Sequence, residues 1–502
     1  MLLRDLLVKV DIEVEAADMD TVIRGVSYDS RTLSAGELFV AVRGFERDGH
    51  QYIEKAFETG AVCVICEEKP NVQIPFIQVA DSRKALSSIS AAWFGFPSEK
   101  LKLIGVTGTN GKTTVTSLLK RVVEQCSGAK AGLIGTNGNM VGDRPLAAEL
   151  TTPESYQIQS LLAEMVREGC EYAVMEVSSH ALHLSRVHGV EFEVGVFTNL
   201  TPEHLDFHAS MEDYASAKAL LFSGSRKSAI NIDDEHAHIM AASARGTVLT
   251  YAVKDGAADL VAKSVKLLAD RVDFCALTIG KINRVELPIP GLFSVYNALS
   301  VIAASTLLGF DTDSVSAVLQ TCEHVKGRAE VVPTGGGFTV LIDYAHTPDA
   351  IEGIITTARG FTQGKVITLF GCGGDRDRQK RPLMGAAAVK YSDFVIVTSD
   401  NPRTEEPGAI IDDIMAGIGD TKTPHRVIEN RREAIHWALD NAAPGDVLIL
   451  AGKGHETYQI VGKVKYDFDE RDVIAEYFGR RPKTEALDPA PGNGDAAIEG
   501  NN

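Results

Sequence analysis

The segment from Lys102 to Thr114 constrains the fold most, because it joins an apolar strand to a helix through a glycine-rich turn. We expect the strand to end near Thr107 and the helix to begin at Lys112. Such a turn presents backbone N–H groups at a helix N-terminus, where the helix dipole also favours anions. The lysine adds a positive charge, and the threonine hydroxyl after it can bind Mg²⁺. The residues of this predicted phosphate-binding loop are Gly108, Thr109, Asn110, Gly111, Lys112, Thr113 and Thr114.

The loop departs from the strict phosphate-loop pattern at one position. Val106 stands where that pattern has its first glycine. An ordinary glycine turn before a helix is the alternative interpretation. The strand, the lysine and the paired threonines are all in register, and this favours a nucleoside triphosphate site.

Length and charge limit the kind of protein. The 502 residues predict about three domains of a globular protein. A formal net charge of −18 argues against a nucleic-acid binder, because phosphate contacts require an excess of Lys and Arg. The seven cysteines are odd in number and scattered, which fits a reducing cytoplasm. Cys63 and Cys66 lie in an apolar run that predicts a buried strand.

One segment has the length of a membrane span. Residues 291–310 carry no charge over 20 positions. Several Ser, Thr, Asn and Tyr residues interrupt them, and no basic flank follows, so we expect a buried helix and no membrane insertion. The charged N-terminus does not resemble a signal peptide.

The order of predicted elements indicates an α/β protein with three domains. Residues 1–99 predict a small α/β domain, and residues 100–327 a central domain with a mostly parallel sheet. The alternation of strands and helices restarts over 328–479 and predicts a second doubly wound, Rossmann-like domain. Residues 480–502 are rich in Gly, Asn, Asp and Pro and predict a disordered tail.

Polar side chains follow the predicted strands of the central domain. Glu176 ends one strand, Thr198 and Asn199 end another, and His204 follows shortly after. Ligands of such sheets lie beyond the carboxyl ends of the strands, which is also the edge of the phosphate-binding loop. The segment from Asn199 to His208 has two His and two acidic residues within ten positions. Without Cys and with oxygen-rich neighbours, it suits Mg²⁺ rather than zinc, and a solvated helix start is the alternative.

Two other central residues are ambiguous in isolation. Thr152 precedes Pro153 at a predicted helix start, so an N-cap role accounts for it as well as a substrate contact does. Lys218 lies on a predicted helix among apolar residues, where a lysine usually extends its ammonium group to solvent.

The third domain repeats the pattern of polar loops after strands. These loops are 343–348, 371–378, 400–403 and 452–456, and the positive charges among them include Arg376. Arginine binds carboxylates through paired hydrogen bonds. The edge is therefore suited to a zwitterion that carries more than one carboxylate.

In combination, these motifs resemble the Mur ligase family over about residues 20–475. The motifs that carry the resemblance are Thr107–Thr114, Glu176–His180, Asn199–Asp206, Asp343–Pro348, Gly371–Arg376, Asp400–Arg403 and Gly452–Glu456. The resemblance implies a UDP-substrate domain, a central ATPase domain and a C-terminal amino-acid-binding domain. It also implies a monomeric cytoplasmic enzyme that uses ATP and Mg²⁺ in peptidoglycan precursor synthesis.

The resemblance also implies roles for individual residues. Lys112, Glu176, His204 and Lys218 would be catalytic, and Lys218 would be carbamylated. Mg²⁺ would be held by Thr113, Glu176, His204 and the Lys218 carbamate. Around the nucleotide would lie Asn297, Arg328 and Asp343. The substrate residues would be Tyr28 and Ser30 for the uridine part, Thr151, Thr152, Ser178 and Arg186 for the muramoyl-dipeptide, and Arg376, Asp400, Asn401, Pro402, Arg403, Gly452 and Glu456 for the amino acid.

The implied substrates are UDP-N-acetylmuramoyl-L-alanyl-D-glutamate and meso-diaminopimelate. Diaminopimelate has one more carboxylate than lysine, and Arg403 gives it a partner. Lysine would leave the guanidinium unpaired at a cost of several kcal/mol, which favours diaminopimelate.

Three rival functions remain at this point. They are a lysine-adding ligase of the same family, a folylpolyglutamate-type synthase and a nucleotide-dependent switch. The 1–99 domain argues against the synthase, and the Arg376–Arg403 edge is not needed by a switch.

Overall fold

The computed structural model describes residues 1–44, 48–205, 207–332 and 334–479. Within them the chain forms three successive α/β units, each with its own main sheet. This arrangement confirms the predicted α/β fold class. The predicted tail at 480–502 lies outside the described residues.

The first unit is a five-stranded sheet in the order β1-β5-β4-β3-β2, parallel except for the β1–β5 pair. Its strands are β1 (Val14–Ala16), β2 (Gly25–Ser27), β3 (Glu37–Val40), β4 (Cys63–Cys66) and β5 (Phe76–Gln78). Its helices are α1 (Leu3–Leu6), α2 (Ile53–Thr59) and α3 (Ser82–Trp93), with 3-10 turns at Gly49–Tyr52 and Pro97–Lys100.

The second unit is an eleven-stranded sheet in the order β16-β15-β14-β13-β12-β11-β6-β10-β7-β8-β9. Its strands are β6 (Lys102–Thr107), β7 (Lys130–Ile134), β8 (Asn139–Val141), β9 (Arg144–Leu146), β10 (Cys170–Glu176), β11 (Phe192–Phe197), β12 (Ser225–Asn231), β13 (Thr247–Ala252), β14 (Leu260–Leu267), β15 (Val272–Thr278) and β16 (Lys281–Leu287). Its helices are α4 (Lys112–Ser127), α5 (Ser155–Arg167), α6 (Ser179–His183), α7 (Met211–Ser223), α8 (Ala237–Ser243), α9 (Leu292–Leu308) and α10 (Thr312–Gln320).

The third unit is a six-stranded sheet in the order β17-β18-β22-β19-β20-β21, with a separate β23–β24 hairpin. Its strands are β17 (Glu330–Val332), β18 (Thr339–Asp343), β19 (Val366–Phe370), β20 (Phe394–Val397), β21 (His425–Val427), β22 (Val447–Ala451), β23 (Tyr458–Val461) and β24 (Val464–Asp467). Its helices are α11 (Pro348–Arg359), α12 (Lys380–Tyr391), α13 (Pro407–Ile418), α14 (Arg431–Asn441) and α15 (Glu470–Tyr477).

Strand β6 shows why the second sheet is covered on both faces. Successive side chains of a strand point to opposite faces. Ile104 and Val106 belong to a core that includes residues of α4 and α9, whereas Leu103 belongs to a core that includes residues of α5 and α7. The first of these cores continues into the third unit through α11, so the two larger units share apolar packing.

Two sequence predictions about apolar segments are confirmed. Cys63 and Cys66 are buried in strand β4. Residues 291–310 contain the buried helix α9. Within the part of the chain that the structure describes, no helix combines the length and apolar character needed to cross a bilayer.

Two features of the second unit differ from the prediction. Strands β8–β9 and β14–β16 extend both edges of the parallel sheet with antiparallel pairs, which were not predicted. The N-cap of α5 is Glu154, so the N-cap interpretation of Thr152 is wrong. The Thr152 hydroxyl binds backbone groups of strand β10 and its following turn instead.

Candidate active site

Two glycines of the turn between β6 and α4 are required by space and conformation. Gly108 has φ of 148° and Gly111 has φ of 87°. A Cβ atom at Gly108 would lie 1.9 Å from Oγ1 of Thr198, and one at Gly111 would lie 2.6 Å from Oδ1 of Asn297. Neither position accepts a side chain without displacement. The turn is therefore fixed against the strand β11 loop and helix α9.

The ammonium group of Lys112 lies inside this turn. It donates hydrogen bonds to the carbonyl oxygens of Gly108 and Thr109, both at 2.8 Å. Burial lowers the pKa of Lys112, while Glu203 and Glu176 oppose the shift. The side chain is thus held close to the N-terminus of α4, where phosphate groups are expected to bind.

Glu176 collects hydroxyl and amide donors at the end of β10. Its carboxylate accepts from the Thr113 hydroxyl at 3.0 Å, and from the backbone N–H and the hydroxyl of Thr136 at 2.8 and 3.0 Å. The Thr136 hydroxyl also lies 3.0 Å from that of Thr151. Glu176 is buried, so these contacts connect the phosphate-binding loop to two neighbouring strand ends.

Thr198 and Asn199 lie directly after β11 and hold the turn from the other side. The Thr198 hydroxyl donates to the carbonyl oxygen of Asn110 at 2.6 Å, and the Asn199 side chain accepts from the Asn110 N–H at 2.9 Å. The prediction that these strand ends meet the phosphate-binding loop is confirmed.

Thr152 organises a second group of predicted residues beside Glu176. Its hydroxyl donates to the backbone oxygen of Glu176 at 2.8 Å and accepts from the N–H of Ser178 at 3.0 Å. Arg186 donates to the Thr152 carbonyl oxygen at 3.0 Å. The structure therefore brings Thr152, Ser178 and Arg186 together, next to the phosphate-binding loop.

Tyr28 lies where the first unit meets the second. Its hydroxyl accepts a hydrogen bond from the side chain of Gln157 on α5, and burial raises the pKa of this tyrosine. Ser30 lies two residues further along the chain, in the turn after β2, and is partly buried.

The same boundary carries an ion-pair link that the sequence analysis did not identify. The carboxylate of Glu154 lies 3.6 Å from Arg83 of the first unit and 3.4 Å from Arg186 of the second. The three residues are far apart in sequence, so no local pattern indicates the contact.

Lys218 is fully buried on α7, against the expectation that a lysine in this setting reaches solvent. Its Nζ donates to the Gly108 carbonyl oxygen at 2.9 Å and lies 4.5 Å from the centre of the Tyr214 ring. Burial, and then the charge of Lys112, holds the pKa of Lys218 well below its ordinary value, with Glu203 opposing. The lowered pKa favours the neutral amine over the ammonium form.

His204 lies in the loop between β11 and α7, with φ of 56°. Its ring centre is 4.7 Å from that of His180 and 6.3 Å from that of Tyr214. Since Lys218 also lies over Tyr214, both predicted residues pack around one aromatic ring.

A cavity of about 400 Å³ opens beside the phosphate-binding loop. Arg328 lines it and donates to the Thr113 hydroxyl at 3.0 Å, while Asp343 accepts from the N–H groups of Ala329 and Ala345 at 2.7 and 2.8 Å. Burial raises the pKa of Asp343, and Arg328 opposes this. Other lining residues are Asn110, Gly111, Thr114, Phe293, Tyr296 and Asn297.

A second cavity, of about 280 Å³, is shared by the second and third units. The second unit contributes Glu203 and His204, and the third contributes Arg376 and Arg403 among other residues. The Arg403 guanidinium donates to the Gly374 carbonyl oxygen at 2.7 Å. The walls of this second cavity also include His346, Asp400, Asn401, Gly452 and Glu456.

Lys453 does not line this cavity but forms hydrogen bonds with residues that do. The side chain is fully buried and donates to Asp400 and Asn401 at 3.2 Å and to Glu456 at 3.1 Å. Asn401 also donates to Glu456 at 2.8 Å. Burial raises the pKa of Glu456, and Lys453 opposes the shift.

The backbone of Pro402 fixes the neighbouring loop. A Cβ atom at Gly374 would lie 1.9 Å from the Pro402 carbonyl oxygen, so the two loops touch directly. The predicted amino-acid residues of the third unit thus form one connected edge, as expected.

Glu203 and His346 connect the two larger units and were not among the predicted site residues. The His346 Nε2 lies 3.7 Å from the Glu203 carboxylate, and its Nδ1 lies 2.8 Å from the Tyr344 carbonyl oxygen. Burial would raise the pKa of Glu203, but His204, His346, Lys112 and Lys218 together hold it below its ordinary value. Both residues belong to motifs that follow predicted strands. That position after a strand end was the sequence signal that could have identified them as site residues.

Three family models match the chain in succession. They are the Mur ligase family catalytic domain over residues 22–94, the Mur ligase middle domain over 106–305, and the Mur ligase glutamate ligase domain over 327–454.

Curated relatives match over nearly the full length. The UDP-N-acetylmuramoyl-L-alanyl-D-glutamate--2,6-diaminopimelate ligase of Caldanaerobacter subterraneus subsp. tengcongensis is 49% identical, over 96% of this chain and 100% of the relative. The ligase of the same name from Clostridioides difficile is 45% identical, over 95% of this chain and 99% of the relative.

Solved structures of Mur ligases are also similar to this chain. A UDP-N-acetylmuramoyl-L-alanyl-D-glutamate--2,6-diaminopimelate ligase superposes with a TM-score of 0.70 at 31% identity, covering 95% of this chain and 99% of the other. The MurF ligase of Thermotoga maritima in complex with ADP has a TM-score of 0.62 at 18% identity, covering 91% and 98%, and shares the fold. With the three domain models and these identities, the chain belongs to the Mur ligase family.

Proposed function

We propose that the chain is an ATP-dependent ligase that joins meso-diaminopimelate to the D-Glu γ-carboxylate of UDP-N-acetylmuramoyl-L-alanyl-D-glutamate. The observation that carries this proposal is the 280 Å³ cavity shared by the second and third units. It places an Arg-lined edge, suited to carboxylates, opposite the His204 loop of the nucleotide unit. A nucleotide switch would not need this second edge.

ATP binds with its phosphates on the loop 108–114 and its nucleoside in the 400 Å³ cavity. Backbone N–H groups and Lys112 stabilise the charge of the transferring phosphoryl group. Asn297, Arg328 and Asp343 border the nucleotide. Arg328 links the cavity to Thr113 of the loop, which supports this position.

Mg²⁺ would be held by Thr113, Glu176, His204 and Lys218 as its carbamate. The buried carboxylate of Glu176, in contact with the Thr113 hydroxyl, offers the hard oxygen ligands that this ion prefers. When bound, Mg²⁺ neutralises phosphate charge.

The carbamate of Lys218 is part of the proposal. Burial lowers the pKa of this lysine, and only the neutral amine adds CO₂. In that addition the neutral amine nitrogen bonds to the carbon of CO₂ and loses one proton, so the product is an anionic carbamate.

The UDP-linked dipeptide lies between the first and second units. Tyr28 and Ser30 border the uridine part, and Thr151, Thr152, Ser178 and Arg186 border the muramoyl-dipeptide. The contacts of Thr152 with the Glu176 and Ser178 backbone put this group beside the phosphate-binding loop, which supports transfer to the substrate carboxylate.

The reaction proceeds by activation and capture. The γ-carboxylate of D-Glu attacks the γ-phosphorus of ATP, and ADP leaves. The amine of the amino acid then attacks the acyl phosphate, loses a proton and expels phosphate. No protein nucleophile is needed, so the residues act by positioning and charge stabilisation.

The amino acid is held by Arg376, the loop from Asp400 to Arg403, Gly452 and Glu456. Arg403 pairs with the carboxylate that distinguishes diaminopimelate from lysine. Replacing Arg403 with Ala should lower kcat/KM for diaminopimelate by about 100-fold or more, with a smaller effect on lysine. An unchanged preference would remove Arg403 from this role.

The domain boundaries at about 99, 327 and 479, a cytoplasmic location and a monomeric state belong to the same proposal. A size-exclusion measurement with light scattering tests the oligomeric state, with the 54.0 kDa mass of one chain expected.

The decisive assay uses purified protein, ATP and Mg²⁺ with the UDP-dipeptide and either diaminopimelate or lysine. We expect net ADP formation only when both the UDP-dipeptide and diaminopimelate are present. ADP formation independent of both substrates would favour the nucleotide switch, and equal rates with lysine would favour the lysine-adding ligase.

A further inference from the structure

Three side chains that could hold a metal ion lie on segments that also carry residues of the proposed active site. One ligand atom from each of His183, His208 and Asp213 lies within 4.8 Å of the other two. His183 ends helix α6, His208 lies in the loop after β11, and Asp213 lies in the first turn of α7. None of the three belongs to the proposed catalytic or substrate residues.

His208 gives the cluster a buried imidazole. The residue is 1% exposed, and its Nδ1 lies 3.3 Å from Oδ2 of Asp213. Since Nδ1 is the ring nitrogen that faces the carboxylate, it is the atom that could share an ion with Asp213.

The donor set selects a class of ion. Two imidazole nitrogens and one carboxylate favour Zn²⁺, Co²⁺ or Ni²⁺, whereas Mg²⁺ and Ca²⁺ prefer oxygen ligands alone. Tetrahedral coordination would bring the ligand atoms to about 3.4 Å from one another. His183 is exposed and Asp213 is partly exposed, so both can move inward and solvent ions can reach the cluster.

We propose that His183, His208 and Asp213 form a binding site for one divalent d-block cation. The ion would join three segments that also carry the proposed Mg²⁺ ligands. Glu176 precedes α6, His204 lies in the same loop as His208, and Lys218 lies on α7. The bound ion would therefore hold these three segments of the proposed active site together. Binding itself does not depend on the proposed ligase function.

The test uses the untagged full chain, treated with chelator and titrated with Co²⁺ while the visible d–d bands are recorded. Excess Mg²⁺ in the buffer occupies the proposed Mg²⁺ site, and we then expect one equivalent of Co²⁺ to bind the wild-type chain. His183→Ala and Asp213→Asn should weaken binding more than about tenfold, because each removes a direct ligand. His425→Ala, which removes an exposed histidine of the third unit, should leave binding unchanged.

Thermal unfolding provides an independent readout. Zn²⁺ should raise the unfolding midpoint of the wild-type chain and of His425→Ala, since an ion that binds only the folded state stabilises it. It should not raise that of His183→Ala, whose exposed position allows normal folding, as circular dichroism would verify. Unchanged Co²⁺ affinity in His183→Ala, or no stoichiometric Co²⁺ binding by the wild-type chain, would overturn the proposal and leave the cluster as a hydrogen-bonded His–Asp pair.

Discussion

Lys218 and Lys453 are both almost completely buried, yet their surroundings differ. Lys218 contacts a carbonyl oxygen and an aromatic ring in the central unit. Lys453 contacts Asp400, Asn401 and Glu456 in the third unit. A buried ammonium group is stabilised only when it is paired and hydrogen-bonded. Lys453 meets this condition through two carboxylates, whereas the partners of Lys218 are a carbonyl oxygen and an aromatic ring, and burial lowers its pKa.

The different surroundings of Lys218 and Lys453 suit two different functions of a buried lysine. In the third unit, the lysine charge organises the acidic and amide groups that border the amino-acid cavity. In the central unit, burial lowers the pKa of Lys218, which favours the proposed addition of CO₂. Substitutions that preserve volume but remove the amine test this contrast directly.

The largest expected effect is on activity when Lys218 is replaced by Met. Loss of the carbamate removes a proposed Mg²⁺ ligand, so kcat should fall by about 1000-fold, or about 4 kcal/mol of transition-state stabilisation. The measurement is ADP formation with both substrates present. A variant with more than a tenth of wild-type kcat would contradict the reactive role of Lys218.

The second effect is on stability when Lys453 is replaced by Met. This change leaves the buried carboxylate of Asp400 and the partly buried carboxylate of Glu456 without their cation, and should lower the free energy of unfolding by about 3–5 kcal/mol. Urea denaturation of Lys453→Met beside Lys218→Met provides the matched comparison, because Lys218→Met removes an amine without leaving a carboxylate contact broken. Equal destabilisation by the two substitutions would remove the distinction between the lysines.

The smallest effect is a pH dependence of stability in CO₂-free buffer. Because the pKa of Lys218 is lowered in the folded state, the unfolded chain binds one more proton between that pKa and the ordinary lysine value of about 10.4. The free energy of unfolding therefore rises with pH across this window, by about 1.4 kcal/mol per pH unit. Below the folded pKa this slope disappears.

The control for this slope is Lys218→Met, which lacks the titrating amine. The difference in free energy of unfolding, wild type minus variant, should rise from pH 7 to pH 9. A difference that stays constant over this range would show that Lys218 is protonated when folded.

The parts of the site that follow from strand ends could be predicted from sequence. Glu176, Thr198 and Asn199 come directly after apolar strands, and parallel strands bring their carboxyl ends to one edge. Their contacts with the loop around Asn110 and Thr113 follow from this topology. The three-unit α/β fold was predictable for the same reason, since strand and helix patterns alternate along the chain.

The parts that depend on contacts between units could not be predicted. The link between Glu203 and His346 joins residues of two different units, and neither residue has a local pattern that specifies its partner. Burial of Lys218 also depends on tertiary packing, because helix α7 buries more than one face. Strands β15 and β16 do carry a local signal, since their residues alternate between buried and exposed around a turn at Ile279 and Gly280, and the prediction overlooked it.

Transfer of oxygen from substrate to phosphate tests the proposed reaction most directly. The UDP-dipeptide would carry ¹⁸O in the γ-carboxylate of D-Glu, and the released phosphate would be analysed by mass spectrometry after reaction with ATP and diaminopimelate. Because the carboxylate oxygen bonds to the γ-phosphorus and leaves with it, we predict one ¹⁸O atom in each phosphate. Phosphate without ¹⁸O, formed together with the amide product, would contradict activation through an acyl phosphate.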